Sequence, residues 1–344
     1  MHAASPTGLT GPALGGRSPG RRVFVVGATG TIGRATVRAL ARHGHDVVCF
    51  VRPRGAAGAP ALPAGLSDGV TVRTGDVADP ASLARDGFAG ERFDAVVSCM
   101  ASRTGAPDDA WAVDHRAHVH VLEAAQRAGA GHFVLLSAIC VQKPRLAFQH
   151  AKLAFERRLV ESGVRYSIVR PTAYFKSLSG QVERVRRGRP FLVFGDGTLT
   201  ACKPISDGDL AEYLAGCLDD PARWDAVLPV GGPGAALTPR EYGEQLFALL
   251  GRPPRFRHVP VRLLDAAAAA LGALGRVVPP LAAKAEFARI GRYYATESML
   301  VWDERAGRYD ADATPSFGRE TLAEHYRKLL RGEASADLGA HAAF

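Results

Sequence analysis

Through its first half the chain alternates short apolar runs with longer stretches in which apolar residues recur every three or four positions. Val23-Phe-Val-Val26, Asp46-Val-Val-Cys-Phe-Val51, Val70-Thr-Val-Arg-Thr-Gly75-Asp76-Val77, Phe93-Asp-Ala-Val-Val-Ser-Cys-Met100, His132-Phe-Val-Leu-Leu-Ser137 and Tyr166-Ser-Ile-Val-Arg170 read as strands. Between them, residues 34 to 41, 118 to 130 and 151 to 162 carry helical periodicity. Strands that are apolar on both faces belong in a sheet covered on both sides, and strand–helix alternation makes that sheet parallel. The pattern from Arg22 to Arg170 therefore predicts an α/β fold with a doubly wound parallel sheet. Past Pro171 the texture changes. Loops with Gly and Pro separate short segments, including Phe191-Leu-Val-Phe-Gly195-Asp-Gly197 and Gly231-Gly-Pro-Gly234. These late segments predict a smaller lobe that closes over the strand ends, some of them completing the sheet. The domain reading is a disordered tail at 1–20, the sheet domain at 21–175, the late lobe at 176–330 and a flexible tail at 331–344.

The junction between the first strand and the first helix reads Gly27-Ala-Thr-Gly30-Thr-Ile-Gly33. Strand, glycine turn and helix in that order are how a Rossmann fold grips a dinucleotide pyrophosphate. The first glycine makes the turn, the second admits the phosphates close to the backbone, and the third packs helix on strand. The helix N-terminus adds unpaired N–H groups and the positive end of the helix dipole. Gly27, Thr29, Gly30, Thr31, Ile32 and Gly33 are the expected pyrophosphate contacts. The second strand runs into Arg52-Pro53-Arg54 with no acid beside it. An NAD site ordinarily carries a carboxylate there for the ribose hydroxyls, whereas a guanidinium pairs with a 2′-phosphate. Arg52, with Arg34 just behind the third glycine, therefore predicts NADPH as the cofactor. Asp76 and Val77, ending the third strand, are expected at the adenine. The backbone of Pro171, Thr172 and Ala173 is expected at the nicotinamide carboxamide.

Composition narrows the picture. The 344 residues are 47% hydrophobic, enough for a substantial core. Residues 1 to 20 lack the charged start and apolar middle of a signal peptide. No apolar run reaches the ~18 residues of a bilayer crossing. The longest, from Leu263 to Leu274, reads as a packed helix, with a helix lying on a membrane surface as the alternative. The cysteines Cys49, Cys99, Cys140, Cys202 and Cys217 are odd in number, widely spaced and mostly inside apolar runs. That predicts a reducing, cytoplasmic compartment with neither a disulfide framework nor a zinc site. The net charge of +9 comes mainly from arginine. Its one dense cluster, Arg184-Val-Arg186-Arg187-Gly-Arg189, has no nucleic-acid-binding motif around it. The cluster reads as a solvated helix end, or as a receiver for carboxylates of a small acidic molecule.

Ser137 closes the fifth strand, and Phe148-Gln-His-Ala-Lys152 follows it. With the glycine run, these residues resemble the short-chain dehydrogenase/reductase superfamily in its extended or atypical branch, over roughly residues 22 to 220. The superfamily carries a Tyr-x-x-x-Lys, whose tyrosine gives a proton to a carbonyl oxygen and whose lysine holds the nicotinamide ribose. Lys152 stands in the lysine place, but Phe148 stands in the tyrosine place, and a phenyl ring has no proton to give. Hydride added to a carbonyl needs a donor for the developing oxyanion. Hydride added to an alkene conjugated with a large π system spreads its charge over that system and needs only a later proton at carbon. The departure argues against an alcohol dehydrogenase and for an ene-type reduction, or for no chemistry.

Later strings narrow the resemblance and extend it over about residues 20 to 330. Arg170-Pro-Thr-Ala-Tyr174 runs into Phe175-Lys-Ser-Leu-Ser-Gly-Gln181, and Ala201-Cys-Lys-Pro-Ile-Ser206 precedes Asp209-Leu-Ala. Tyr294-Ala-Thr-Glu-Ser-Met-Leu-Val-Trp-Asp303 is followed by Thr314-Pro-Ser-Phe-Gly318. Together they are similar to the NADPH-dependent 8-vinyl reductases of chlorophyll and bacteriochlorophyll biosynthesis. The resemblance implies reduction of the 8-vinyl group of divinyl chlorophyllide or protochlorophyllide to ethyl. The magnesium arrives with the pigment, so no protein metal site and no nucleic-acid partner are expected. Lys152 would hold the nicotinamide ribose, and the proton-donor candidates are Tyr174, His150 and Ser137, in that order. Phe148, Phe175 and Phe191 offer faces for a flat macrocycle. Lys176 and Lys203 would meet its propionate, and Met299 and Trp302 would line the pocket. A pigment made by membrane-associated enzymes leaves room for weak peripheral contact with a photosynthetic membrane. Two alternatives stay open: an atypical reductase of another aromatic or quinone-like substrate, and a non-catalytic NADPH sensor or structural subunit, with which Phe148 is compatible.

Overall fold

The six apolar runs of the first half are all strands in the computed structural model, which describes residues 20–53, 69–275 and 279–333. The expected tails at 1–20 and 331–344 lie outside the described residues, apart from Gly20 and residues 331–333, and so does Arg54. In chain order the strands are β1 (Arg22–Val26), β2 (Asp46–Val51), β3 (Val70–Thr74), β4 (Ala95–Ser98), β5 (His132–Leu136), β6 (Arg165–Pro171), β7 (Phe191–Phe194), β8 (Ala226–Val230), β9 (Phe256–Val259), β10 (Val301–Asp303) and β11 (Arg308–Asp310). Seven of them form one parallel sheet in the order β3-β2-β1-β4-β5-β6-β8. The order reverses between β1 and β4, and in such sheets the crevice at the carboxyl ends of the two reversing strands is where ligands bind.

Each face of the sheet is sealed by its own apolar cluster. One joins Val25, Val97 and Val134 to the helix Thr31–Arg42 and, from the late half, to the helix Asp207–Gly216. The other joins Phe24, Phe50 and Phe133 to the helices His118–Arg127 and Ala147–Val160. The Rossmann unit therefore reaches past the expected boundary at residue 175. Ser206 caps the helix Asp207–Gly216 by accepting the Asp209 N–H at 3.0 Å. β8 pairs in parallel with β6 from Ser167 opposite Ala226 to Pro171 opposite Val230. β8 contains Pro229, tolerated because this strand is the sheet's edge.

The helix carrying Lys152 begins at Ala147, four residues before the expected start. Gln149 explains the difference. Its side-chain oxygen accepts the N–H groups of Arg145 and Leu146 at 2.7 and 3.0 Å, closing the first turn from inside. A third apolar cluster, with Phe175, Phe191, Leu246 and Tyr326 among its members, is the core of the late lobe. There β7 pairs in parallel with β9, and β10 and β11 form an antiparallel pair with Trp302 opposite Tyr309. The helices Arg262–Gly275 and Pro279–Thr296 lie against each other; a side chain at Gly272 would meet Arg289 Nη2 at 3.3 Å. The segment from Leu263 to Leu274 is indeed helical, but one long side of it faces solvent rather than protein.

Candidate nucleotide and substrate site

The glycine turn divides its three glycines by task. Gly27 has a φ of +78°, and a Cβ there would lie 2.4 Å from the Cys99 carbonyl carbon, so β4 excludes any side chain. A Cβ on Gly33 would strike the Gly27 oxygen at 2.1 Å, so the helix sits directly on the turn. A Cβ on Gly30 would meet nothing nearer than that same oxygen at 3.5 Å, which leaves open space over the turn. The first intrahelical bond runs from the Arg34 N–H to the Gly30 carbonyl at 2.9 Å. No side chain caps the helix, and no acid stands in its first turn. The N–H groups of Thr31, Ile32 and Gly33 are thus left for an anion.

Cations surround this turn. Arg34 Nη1 donates to the Thr29 carbonyl at 3.1 Å, fixing its guanidinium beside the loop. Arg52 stands exposed just past the end of β2. Lys176, expected at a substrate propionate, is elsewhere: its Nζ donates to Thr31 Oγ1 at 3.0 Å. That places it on the phosphate turn. The physical reason is the bridge of Tyr174 to Ile205, which folds the loop after β6 back over the sheet. Asp207 is half-enclosed near Lys176, Arg34 and Arg38, and burial raises its carboxyl despite those charges. Asp76 is exposed, and its Oδ1 accepts the Ala78 N–H at 2.9 Å, while the neighbouring Val77 packs against the core. The Thr172 N–H is taken by the Val230 carbonyl at 2.9 Å and its hydroxyl by the Lys203 carbonyl. The Ala173 carbonyl accepts from Ile205 at 3.0 Å, and Pro171, ending β6, has no N–H.

Below the turn lies a residue that the sequence reading missed. Lys152 Nζ is 3.0 Å from Asp114 Oδ1, and both side chains are buried. The same oxygen accepts the Ser102 N–H at 3.3 Å, while Oδ2 is buried without a partner. A buried carboxylate with one oxygen unpaired is costly to bury, and the Lys152 ammonium is what offsets that cost here. A signal existed: Ala110, Asp114, Ala117 and Val121 form one buried stripe, with a carboxylate where an apolar residue belongs. Close by, His118 is neutral, its ring pushed down to about 4 by burial and then by Lys152. Its Nδ1–H donates to the Val113 carbonyl, and its Nε2 accepts from Ser98 Oγ, both at 2.8 Å.

Two donor candidates sit poorly for that work. Ser137 is buried and donates to Glu156, which is paired with Arg170, so its proton is engaged beneath the cleft. His150 is exposed on the outer side of the helix, about 200° around from Lys152 by helical geometry. Tyr174 differs from both. Its hydroxyl has no hydrogen-bond partner among the described residues, and burial raises it well above its ordinary range, with Cys99, Cys140 and Asp207 near enough to add to the rise. Tyr294, from the late helix, shows 40% of its surface to solvent, yet its hydroxyl end is enclosed 3.9 Å from Cys140 Sγ. Tyr293 beside it donates to the Cys140 carbonyl at 2.9 Å. The late helix thus roofs the cleft, and Phe148 lies buried under it, near Ile290 and Gly105. Nothing local in the sequence announces Tyr294, because its place depends on docking of a distant helix.

The remaining substrate candidates all take part in the protein's own packing. Phe175 is 2% exposed against His325, and Phe191 is 4% exposed with its ring edge toward Phe256. Met299 is buried in the same core, pairing with Cys202. Lys203 Nζ donates to the Thr314 carbonyl at 2.9 Å. Trp302 packs edge to face with Tyr309, ring centres 4.9 Å apart, and Lys143 Nζ lies against both rings, 4.0 Å from the Trp302 centre and 5.1 Å from that of Tyr309. All five cysteines are free thiols, and burial pushes Cys49, Cys99 and Cys202 up to about 12.

The glycine turn, the sheet order and the buried lysine define an NAD(P)H-binding Rossmann protein on the atypical side of the short-chain reductases. A family model described as NAD(P)H-binding matches residues 27–221. A leucoanthocyanidin reductase from Vitis vinifera, solved with NADPH, superposes with a TM-score of 0.65 at 18% identity, covering 90% of this chain and 99% of that one. Sequence relatives are more specific. The divinyl chlorophyllide a 8-vinyl-reductase of Oryza sativa subsp. indica is 51% identical over 94% of this chain and 82% of its own length. That of Arabidopsis thaliana is 45% identical over 96% and 82%. The chain belongs to the family of divinyl chlorophyllide a 8-vinyl-reductases.

Proposed function

We infer that this protein reduces the 8-vinyl group of divinyl chlorophyllide, or of divinyl protochlorophyllide, to ethyl at the expense of NADPH. The observation that carries the reading is the Oryza relative's 51% identity, which runs through the late lobe as well as the nucleotide fold. The residues fit the cofactor: the space over Gly30, the uncapped helix start and the cations around it suit a pyrophosphate. Arg52, with no acid beside it, suits a 2′-phosphate. When bound, NADPH supplies a hydride, and the reduction needs one proton besides.

The chain's own residues divide the rest. Gly27, Gly30, Gly33, Thr31 and Lys176 bind and orient the phosphates. Asp114 holds the Lys152 ammonium, which would bind the nicotinamide ribose. Phe148 fills the place of a hydroxyl donor with an apolar ring, which suits an alkene better than a carbonyl. Tyr174 keeps its proton at Oη through the neutral range because burial opposes ionisation, and it is the group we assign to protonate carbon. The pigment is apolar, and weak peripheral contact of the protein with a membrane accompanies this function.

The test is direct. Purified protein with NADPH should shift the Soret band of divinyl chlorophyllide to shorter wavelength, one NADPH oxidised per vinyl group lost. Bound NADPH that is never consumed, with divinyl pigment present and intact, would replace this reading with a sensor or structural role.

A further inference from the structure

The helix Arg262–Gly275 breaks the usual rule for a helix beside water, whose outward face is polar. Here that face is Leu263, Ala266, Ala269, Ala270, Ala273 and Leu274, all exposed, the two leucines at 58% and 56%. Arg262 and Asp265 share the face, and Asp265 is neutralised by Arg292 of the facing helix. What remains is an apolar strip with a positive end.

The approach to this helix is basic. β9 leads into it with Arg257 exposed, preceded by exposed Arg252 and Arg255. With Arg186 and Arg187, Arg252 and Arg255 line a concavity of about 490 Å³ beside Phe247. Arg186 and Arg187 share Glu183, and Arg252 donates to the Val185 and Arg186 carbonyls. Arg255, Arg257 and Arg262 have no carboxylate partner among the described residues.

We propose that this face docks on an anionic lipid bilayer, with the leucines at the headgroup boundary and the free arginines against anionic headgroups. No helix among the described residues is long and apolar enough to cross a membrane, so the helix lies on the surface. A second copy of the chain fits worse, because a two-fold contact would set these arginines against their own counterparts. The idea deepens the reading of the site: the helix paired with this one carries Ile290, Tyr293 and Tyr294 to the cleft, so bilayer contact and cleft share one hairpin. It rests on that reading only for the pigment's identity.

Flotation of the full chain with vesicles, without pigment or nucleotide, tests it. Binding is expected to vesicles of phosphatidylcholine with phosphatidylglycerol, little to phosphatidylcholine alone, and less as salt rises. The double variant Leu263→Glu/Leu274→Glu should bind at least about tenfold more weakly. Arg255→Glu/Arg257→Glu should lose the preference for anionic vesicles, and both variants should turn over detergent-dispersed pigment like the parent. No binding by the parent, equal binding by both variants, or a dimer in solution that the leucine variant dissociates would overturn the proposal. Absent turnover with vesicle binding intact would strike the catalytic reading and leave this one standing.

Discussion

The nucleotide-binding half and the late lobe use their cations in opposite ways. In the first, Lys152 and Lys176 are held by short side chains, Asp114 and Thr31, at the carboxyl ends of the strands. In the second, Lys203 is spent on the Thr314 carbonyl, and Glu297 and Trp302 are spent on Lys143, which reaches them from the first half at 2.8 Å and 4.0 Å. A wide sheet assembles by backbone pairing and apolar faces, so the lysines near its strand ends are not needed to hold it together. A lobe made of short segments has no such scaffold, so its charges and aromatics become fasteners. A residue type that signals a ligand in one half signals a joint in the other.

The sharpest way to break this comparison is to remove a proton from the first half. Tyr174→Phe should lower turnover by about 10²–10⁴-fold while NADPH binding stays within about twofold. A rate near that of the parent would move the donor role to the other enclosed hydroxyl, Tyr294. Lys152→Ala should cost about one to three orders of magnitude in kcat, read in single-turnover absorbance traces. Asp114→Asn keeps the shape but not the charge that fixes the lysine, and about a tenfold loss is expected there. If Asp114→Asn is as active as the parent, the buried pair is structural.

Legibility followed the same division. Six strands and the glycine turn were readable because local pattern and tertiary role agree there. Asp114 was readable in principle, as the one carboxylate in a buried stripe, but helical phase matters only once the stripe is known to be buried. Lys176 was misplaced because its reach to Thr31 depends on a loop that folds back 145 residues away in sequence. Phe175 and Phe191 looked like stacking faces because an aromatic in a short late segment looks the same in a core and in a pocket. Tyr294 owes its place to a hairpin whose docking no local signal records.

Two measurements sharpen the first half further. Arg52→Ala should weaken NADPH about tenfold or more and leave NADH within about twofold, by titration of nucleotide fluorescence. Equal losses for both would take Arg52 away from the 2′-phosphate. The second concerns histidines that the fold holds neutral. His118 and His132 are both pushed down to about 4, chiefly by burial, from an unfolded value of 6.5. Below pH 6.5 the unfolded chain binds more protons at these rings than the folded one. Stability should therefore fall by about 1.4 kcal/mol per pH unit for each ring between 6.5 and 4, and be fully present above 6.5. Denaturant titrations at stepped pH measure this slope, and His118→Gln should roughly halve it.

The smallest expected effect is the most pointed. If Lys203 is a fastener, Lys203→Met should leave kcat and the pigment KM within about twofold. Its loss should appear in stability, about 1–2 kcal/mol for one charged hydrogen bond to the Thr314 carbonyl. Lys176→Met should behave in the opposite way, raising the NADPH Kd with little change in denaturation midpoint, because its partner is a hydroxyl on the phosphate turn. The two lysines carry the same charge and were expected at the same propionate, so the pair of variants isolates the contribution of the surrounding half. A rise in pigment KM for Lys203→Met, with stability unchanged, would mean that the late lobe keeps a cation for its substrate after all.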